Sequence, residues 1–425
     1  MEVTILFAVF VIGLILGLPI AVTLGLSSLS YIFISGLPPV IMPQKMYAGM
    51  DVFVLLSIPG FILAGNLMNQ GGITNRIVRF ANSIVGWIRG GLGLTNIAAS
   101  MLFGGITGTA VADAASIGGV MIPGMKKAGY PADFSAAVTA ASSTVGPIIP
   151  PSVPMIIVGA LSGISVGQMF LAGAIPGILM GLAMMVTAYF ISIKRGYPSQ
   201  AWQGFGEVIN SFGHAFWALA MTFLIIYGLL SGVSTPTETA VVASLYAFVV
   251  GAFIYRELPL RALPKILIDS GVSASGILIL VGFANVFGWI LVSERIPQMI
   301  ASGVLSITDN KYMVILLINI LLLFVGMFME TIAALIILFV PLLSLATAVG
   351  IEPLHFATFA VLNLMIGLTT PPVGVCLFVC ANIAKISLSA VVKAILPFLL
   401  TNILILLAVS YIPEIATWLP SMLKP

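Results

Sequence analysis

Apolar residues run along this chain in long stretches that follow neither a helical nor a strand period, and short polar punctuation separates them. A helix that is apolar all round belongs in a bilayer, where about 20 apolar residues cross the hydrocarbon. The stretches predict spans at 3–34, 51–69 and 72–88, the last weakened by Arg76 and Arg79. A stretch at 92–127 is too long for one crossing and too glycine-rich for a straight one. An interrupted stretch at 131–163 and a span at 168–193 follow. Residues 196–213 are the most polar extended part and are expected to link two halves. The second half predicts spans at 214–232, 236–254 and 272–292, an over-long stretch at 312–350, an interrupted one at 353–385 and a last span at 388–411. The halves match in order: three spans, an over-long segment, a broken one, a single span.

The broken segments carry the strongest local signal. Residues 142–154 read Ser-Ser-Thr-Val-Gly-Pro-Ile-Ile-Pro-Pro-Ser-Val-Pro, inside an apolar run from Phe134 to Leu161. Proline removes a backbone donor and clashes with the carbonyl four residues back. Gly146, Pro147, Pro150, Pro151 and Pro154 therefore predict a helix broken within the membrane, behind the hydroxyls of Ser142, Ser143 and Thr144. Non-helical backbone at that depth is tolerated only against protein or a watered site. Residues 367–378 repeat the device, with Gly367, Thr369, Thr370, Pro371 and Pro372. Interrupted segments at corresponding positions of two halves point to a transporter binding site.

The over-long segments are expected to be re-entrant hairpins. Phe-Gly-Gly-Ile-Thr-Gly-Thr-Ala-Val-Ala-Asp (103–113) sits at the middle of the first. Gly104, Gly105 and Gly108 permit a tight turn, Thr107 and Thr109 suit a helix cap, and Asp113 follows about one turn inside. Gly326, Glu330 and Thr331 mark the middle of the second. Asp113, Glu330 and Glu238 are carboxylates expected at membrane depth, where acids default to function. For Glu238, in Thr235-Pro236-Thr237-Glu238, an ordinary helix start is an equal alternative.

Composition agrees. The chain is 60% hydrophobic and 7% charged, with mean hydropathy +1.21, so it is a multi-pass membrane protein. Its charge of +3 has no bearing on nucleic acid. The first apolar run is too long for a cleavable signal. Cys376 and Cys380 are expected to be buried small hydrophobes, and His214 and His355 interfacial residues. With the loop after 34 taken as cytoplasmic, Lys45 joins the inner cations, while Arg76, Arg79, Arg295, Lys311 and Lys424 fall outside. No Lys or Arg lies in a hairpin interior or broken segment, so an anionic substrate would rely on helix N-termini, hydroxyls and bound cations.

Residues 104–113, Gly-Pro-Ile-Ile-Pro-Pro-Ser (146–152), Thr-Pro-Thr-Glu-Thr-Ala (235–240) and Gly-Leu-Thr-Thr-Pro-Pro-Val-Gly (367–374) resemble the large membrane subunit of TRAP transporters. These are tripartite ATP-independent periplasmic uptake systems of the ion-transporter superfamily. Ile-Pro-Gly-Phe-Ile-Leu-Ala-Gly (58–65) resembles it too, with Gly60 where a bulkier residue is common. The resemblance spans essentially the whole chain. It implies an all-α inverted repeat in the bacterial inner membrane, with two hairpins and two broken helices forming a transport domain that slides, elevator-fashion, on a scaffold. On that expectation the scaffold takes 1–91 and 214–311, the transport domain 92–163 and 312–386. A span and linker fill 164–213, and a last span and tail 387–425.

The resemblance further implies sodium-driven uptake of an organic acid, handed over by a periplasmic binding protein. It also implies a separate small subunit of about four helices, since the chain starts directly with the large-subunit span. Sialic acid, a sugar acid, is favoured over a C4-dicarboxylate. Two clusters, Gly104–Thr109 with Ser142–Pro147 and Gly326–Thr331 with Gly367–Pro372, offer hard oxygen ligands. At least two sodium ions are expected, near Gly104, Ser143, Gly146, Gly326, Gly367 and Thr370, with no organic cofactor. A sodium/carboxylate carrier needing no binding protein is the alternative. An intramembrane aspartyl protease would need a paired second aspartate, which no motif supplies.

Overall fold

The computed structural model describes residues 2–422, apart from the side chains of residues 105–107. It is built of α-helices, with no strand among the described residues. Seven helices are long and apolar enough to cross a bilayer by themselves.

The N-terminal apolar run is two helices where one span was expected. Helices α1 (Glu2–Ile15) and α2 (Ile20–Ile34) pack on each other across a turn in which Gly17 takes φ +71° and Pro19 precedes the second helix. Proline fits the start of a helix but not its interior, so the break lies where the sequence places it. Helices α3 (Ile41–Met50) and α4 (Ser57–Gln70) follow.

The expected span at 72–88 is α5 (Ile73–Val85), only 13 residues long. At 1.5 Å per residue it reaches about 20 Å, short of the ~30 Å hydrocarbon. Arg76 binds Glu257 at 2.6 Å and Arg79 binds Glu207 at 2.7 Å, while the opposite face buries Ile73, Ile77 and Ala81. It is an amphipathic arm, charged on one face and apolar on the other.

The first hairpin is α6 (Gly91–Thr107) and α7 (Ala110–Lys127). Its broken helix is α8 (Ala132–Ser143) and α9 (Val153–Ser162), followed by α10 (Val166–Arg195). At 12 and 10 residues the two pieces measure about 18 and 15 Å, so the break falls about half-way across. The linker is shorter than expected, because α11 (Phe205–Leu230) takes up residues 205–213. Helices α12 (Pro236–Val249), α13 (Leu263–Ser293) and the short α14 (Ile296–Leu305) lead to the second hairpin, α15 (Lys311–Gly326) and α16 (Thr331–Ala348). The second broken helix is α17 (Pro353–Gly367) and α18 (Val375–Ala384), and α19 (Leu388–Tyr411) and α20 (Glu414–Met422) close the chain. Three apolar crossings per half remain; in the first half they are the short α1 and α2, which unlike α5 carry no Lys or Arg, and α4 with the turn before it.

The packing interleaves the halves. Helix α18, from the second broken helix, lies against α7 and α8, while α9, from the first, lies against α16 and α17. Helices α10 and α19 flank this body. Helices α1–α4 and α11–α13 pack mainly on one another, tightest between α4 and α12. There a Cβ on Gly60 would stand 2.8 Å from the Ala240 Cβ, and Ser244 donates to the Gly60 carbonyl at 2.7 Å. Arms α5 and α14 bridge the groups, α5 on α6 and α11, α14 on α16 and α13.

Bonds between loops fix the two faces. Lys126 Nζ donates to Ala384 O at 2.9 Å, Tyr130 Oη to Pro198 O at 3.0 Å, and the Gly90 amide to the same carbonyl at 3.2 Å. Together with the α5 ion pairs they place Arg76, Arg79, Arg89, Lys126, Lys127, Lys194, Arg195, Arg256, Arg261, Lys265, Lys385 and Lys393 on one face. On the other, Ser35 donates to Glu2, Tyr31 to Glu294, and Asn285 to the Lys45 carbonyl. Arg295 and Lys311 lie there too, while Lys424 is outside the described residues. The basic face is cytoplasmic. Lys45, Arg76 and Arg79 thus change sides relative to the sequence expectation, because α1–α2 adds a crossing and α5 removes one. Cys376 and Cys380 are buried free thiols. His214 is exposed, but His355 is buried rather than interfacial, with Nε2 2.9 Å from the Val409 carbonyl.

Candidate functional site

Each hairpin tip crosses a broken helix at a pair of glycines. A Cβ on Gly104 would run into Gly146 Cα and stand 2.7 Å from its carbonyl carbon. A Cβ on Gly367 would stand 2.6 Å from Gly326 Cα and 2.7 Å from its carbonyl carbon. Only glycine lets two backbones approach so closely. The two clusters expected from the sequence are therefore assembled as paired, Gly104–Thr109 with Ser142–Pro147 and Gly326–Thr331 with Gly367–Pro372.

The first tip turns at Gly108, φ +64°, whose amide donates to the Gly104 carbonyl at 3.2 Å. Gly108 abuts the start of α9: a Cβ there would be 3.4 Å from the Val153 nitrogen. Thr109 holds the N-cap position of α7 in extended geometry, but its side chain makes no capping bond, contrary to expectation. The surroundings of Gly105 and the Thr107 side chain lie outside what the structure describes. The second tip abuts the start of α18, where the Gly374 amide donates to the Met327 carbonyl at 3.4 Å. Four helix N-termini, of α7, α9, α16 and α18, thus begin at the two tips and breaks. Their amide ends carry partial positive charge in a region without Lys or Arg.

The prolines free the carbonyls. Ser143, Gly146 and Pro147 each face a proline four residues ahead, at 147, 150 and 151, which has no N–H to give. No hydrogen bond among the described residues ends on those three carbonyl oxygens. The Pro150–Pro151 and Pro371–Pro372 bonds are both cis. The hydroxyls of Ser143 and Thr144 turn back to Ala140 and Ala141 at 2.8 and 2.7 Å, and those of Thr369 and Thr370 both reach the Ile366 carbonyl at 2.9 Å. Thr331 donates to the Leu364 carbonyl at 3.4 Å, tying the second tip to α17.

The three carboxylates separate. Asp113 is fully buried; the Ser100 hydroxyl lies beside it, but neither carboxyl oxygen completes a well-formed hydrogen bond among the described residues. A Cβ on Gly146 would stand 3.7 Å from its Cγ, so the carboxyl lies against the first crossing. Leaving a buried carboxylate bare costs far more than the few kcal/mol a lost hydrogen bond does. An orphaned acid beside freed carbonyls is the donor set of a hard cation. Glu330 instead caps α16, accepting from the amides of Ile332 and Ala333 at 2.8 and 3.2 Å. Glu238 forms a capping box with Thr235, accepting from its amide at 2.8 Å; it is exposed, and the helix-start reading holds.

Sequence reasoning missed the polar ladders behind the crossings. Asn96 donates to Thr139 at 2.6 Å, and Ser100 and Ser142 lie 3.0 Å apart. In the second half Asn363 donates to Asn319 Oδ1 at 2.8 Å, and Asn319 to Ser410 at 3.0 Å. The signal was available: Asn96 and Ser100 are one turn apart in an apolar helix, and buried polar groups need partners.

Comparison with known proteins agrees with this architecture. The family described as "Tripartite ATP-independent periplasmic transporter, DctM component" matches residues 7–415. The sialic acid TRAP transporter large permease protein SiaM of Vibrio cholerae is 42% identical over 96% of this chain and 95% of its own. The C4-dicarboxylate TRAP transporter large permease protein DctM of the same species is 37% identical over 100% and 98%. The sialic acid TRAP transporter permease protein SiaT of Haemophilus influenzae is 38% identical over 98% of this chain and 68% of its own. Among solved structures, the Alcanivorax borkumensis YdaH transporter shares the fold, with TM-score 0.60 and 15% identity over 90% and 89% of the two chains. Neisseria gonorrhoeae MtrF does likewise, with TM-score 0.61 and 14% identity over 89% and 83%. The chain belongs to the family its motifs resemble: it is a large permease subunit of a tripartite ATP-independent periplasmic transporter, a membrane protein and not an enzyme.

Proposed function

We propose that this subunit couples the inward movement of at least two sodium ions to import of an organic anion, a sialic acid-type sugar acid or a C4-dicarboxylate. The anion comes from a periplasmic binding protein, and a small four-helix subunit completes the assembly in the inner membrane. The observation that carries this reading is the buried carboxylate of Asp113, without a well-formed hydrogen bond among the described residues, against the Gly104–Gly146 crossing and beside carbonyls that prolines have freed. One sodium belongs there. The Gly326–Gly367 crossing repeats the arrangement, with its acid, Glu330, engaged as the cap of α16, and takes the second. The anion sits between, on the amide ends of α7, α9 and α18, and the nearby sodium charge offsets its own.

The pairing of α18 with the first hairpin and α9 with the second supports an inverted repeat, since each half makes the contacts of the other. The body of α6–α10 and α15–α19 is the moving part of an elevator. It slides on α1–α4 and α11–α13 while arms α5 and α14 hold it. Names of the relatives support the substrate class: sialic acid for two of them, C4-dicarboxylate for a third.

Two sodium ions with a monoanion carry one net positive charge inward, worth about 2.3 kcal/mol per 100 mV. Proteoliposomes holding both membrane subunits, with binding protein outside, should accumulate sialic acid more strongly as the interior is made negative. Uptake that ignores potential would refute the stoichiometry, and undiminished uptake without binding protein would make the chain an autonomous carrier.

A further inference from the structure

At the cytoplasmic end of the molecule, between the last turn of α10 and the first turns of α19, lies a cavity of about 390 Å³. Lys194 and Arg195 line it from α10, Lys393 from α19, and its apolar wall includes Phe134, Ile191 and Pro397. Phe134 is held from behind by Tyr197 and Phe398, with ring centroids 4.9 and 6.1 Å away. None of the three cations has a carboxylate within 4.0 Å among the described residues. The one acid nearby, Asp133, acts on Arg195 only at longer range, and Arg195 spends one N–H on the Tyr197 hydroxyl at 3.2 Å. Three positive charges thus converge on one pocket, with Asp133 the nearby acid and no ion pair to any of them among the described residues.

What surrounds the pocket decides the occupant. Helices α10 and α19 run antiparallel away from it, joined by the Thr187 and Thr401 hydroxyls 2.7 Å apart. Beyond Lys393, at helical spacing, Leu396, Leu400 and Leu404 are all exposed; beyond Lys194, Phe190 and Val186 are too. A cluster of charge at the membrane surface that continues as an apolar track on two helices matches a molecule with an anionic head and long chains. A soluble anion would have no use for the track.

We propose that this cavity binds the phosphate headgroup of an anionic phospholipid, whose acyl chains lie along the exposed faces of α10 and α19. Basic pockets between transmembrane helices on the cytoplasmic side suit such headgroups, and each Lys or Arg contributes about fivefold in affinity. The full chain, extracted from vesicles of mixed phosphatidylglycerol and phosphatidylcholine, is the sample, and native mass spectrometry reads the ratio of the two lipids retained. Phosphatidylglycerol should dominate. Lys393→Gln alone should lower the ratio about fivefold, and the triple Lys194→Gln, Arg195→Gln, Lys393→Gln variant about a hundredfold. Lys265→Gln, on the same face but outside the cavity, should not change it, and excess inorganic phosphate should not displace the lipid. Equal retention of both lipids, or Lys393→Gln with the wild-type ratio, would overturn the proposal. So would displacement by inorganic phosphate, which would mark a site for a soluble anion.

Discussion

Gly367→Ala tests the crossing on which the proposed ion site depends. The new methyl would stand 2.6, 2.7 and 2.9 Å from Gly326 Cα, C and O, where ordinary contact begins at 3.4 Å. The tip and the broken helix must part by about 0.8 Å, the difference of 3.4 and 2.6. All three atoms are backbone, so no side chain can swing aside. Overpacking of this kind costs about 1–3 kcal/mol. If sodium takes oxygens from both segments, the loss appears in its binding, and about 1.4 kcal/mol is a factor of ten. Initial uptake rates against sodium concentration, in proteoliposomes of the assembled transporter, should show half-saturation raised tenfold or more. Gly119→Ala, on α7 with nothing within 4 Å of its Cβ, should leave the curve alone. A Gly367→Ala protein that folds and keeps the wild-type sodium curve would show that no ion is held between the two glycines.

Four further outcomes are expected. Asp113→Asn should raise the sodium requirement, because the amide removes the full charge that Asp113 brings to the first crossing. Glu330→Gln should leave that curve in place and cost about 1 kcal/mol in a melting experiment, because an amide oxygen can still accept the Ile332 and Ala333 amides. Pro150→Ala with Pro151→Ala restores N–H partners for the Gly146 and Pro147 carbonyls; transport should be lost while the protein still inserts and melts cooperatively, and normal uptake would mean the break is only a kink. Co-expression with the small subunit should give a complex that survives mild detergent, since Phe7, Val11, Ile12 and Ile15 leave an exposed apolar row on α1; extraction as two separate chains would refute that interface.

The hairpins and breaks were legible because they are made by residues with one conformational meaning. Pro147, Pro150 and Pro151 cannot continue a helix, and Gly108 turns where few other residues would. The first 88 residues misled for the converse reason. Gly17 and Pro19 are only two breakers in an apolar run, too sparse to stand out beside the cluster at 146–154. Arg76 and Arg79 seemed blemishes in a span, whereas their three-residue spacing is the charged stripe of a surface arm. The two errors cancelled in the count of spans but not in the sides: Lys45, Arg76 and Arg79 moved together. Asp113 and Glu330 could not be told apart by sequence, since both sit near a helix start. What separates them is three-dimensional, a pair of amides bound by one and, among the described residues, none bound by the other.

The exchange of half-helices between the two halves of the chain sets an order on biogenesis. Helix α18 ends at Ala384, more than two hundred residues after the α7 and α8 surfaces it covers. Until that residue has been made and inserted, the first hairpin and first break lack part of their enclosure, with free carbonyls and the Asp113 carboxyl short of protein neighbours. Contacts so distant along the chain close slowly, and exposed polar backbone in a bilayer is costly. The emerging first half is therefore the stage at which this protein is most open to degradation. A chain cut short before α18 should be cleared by membrane proteases even though every span of its first half is complete.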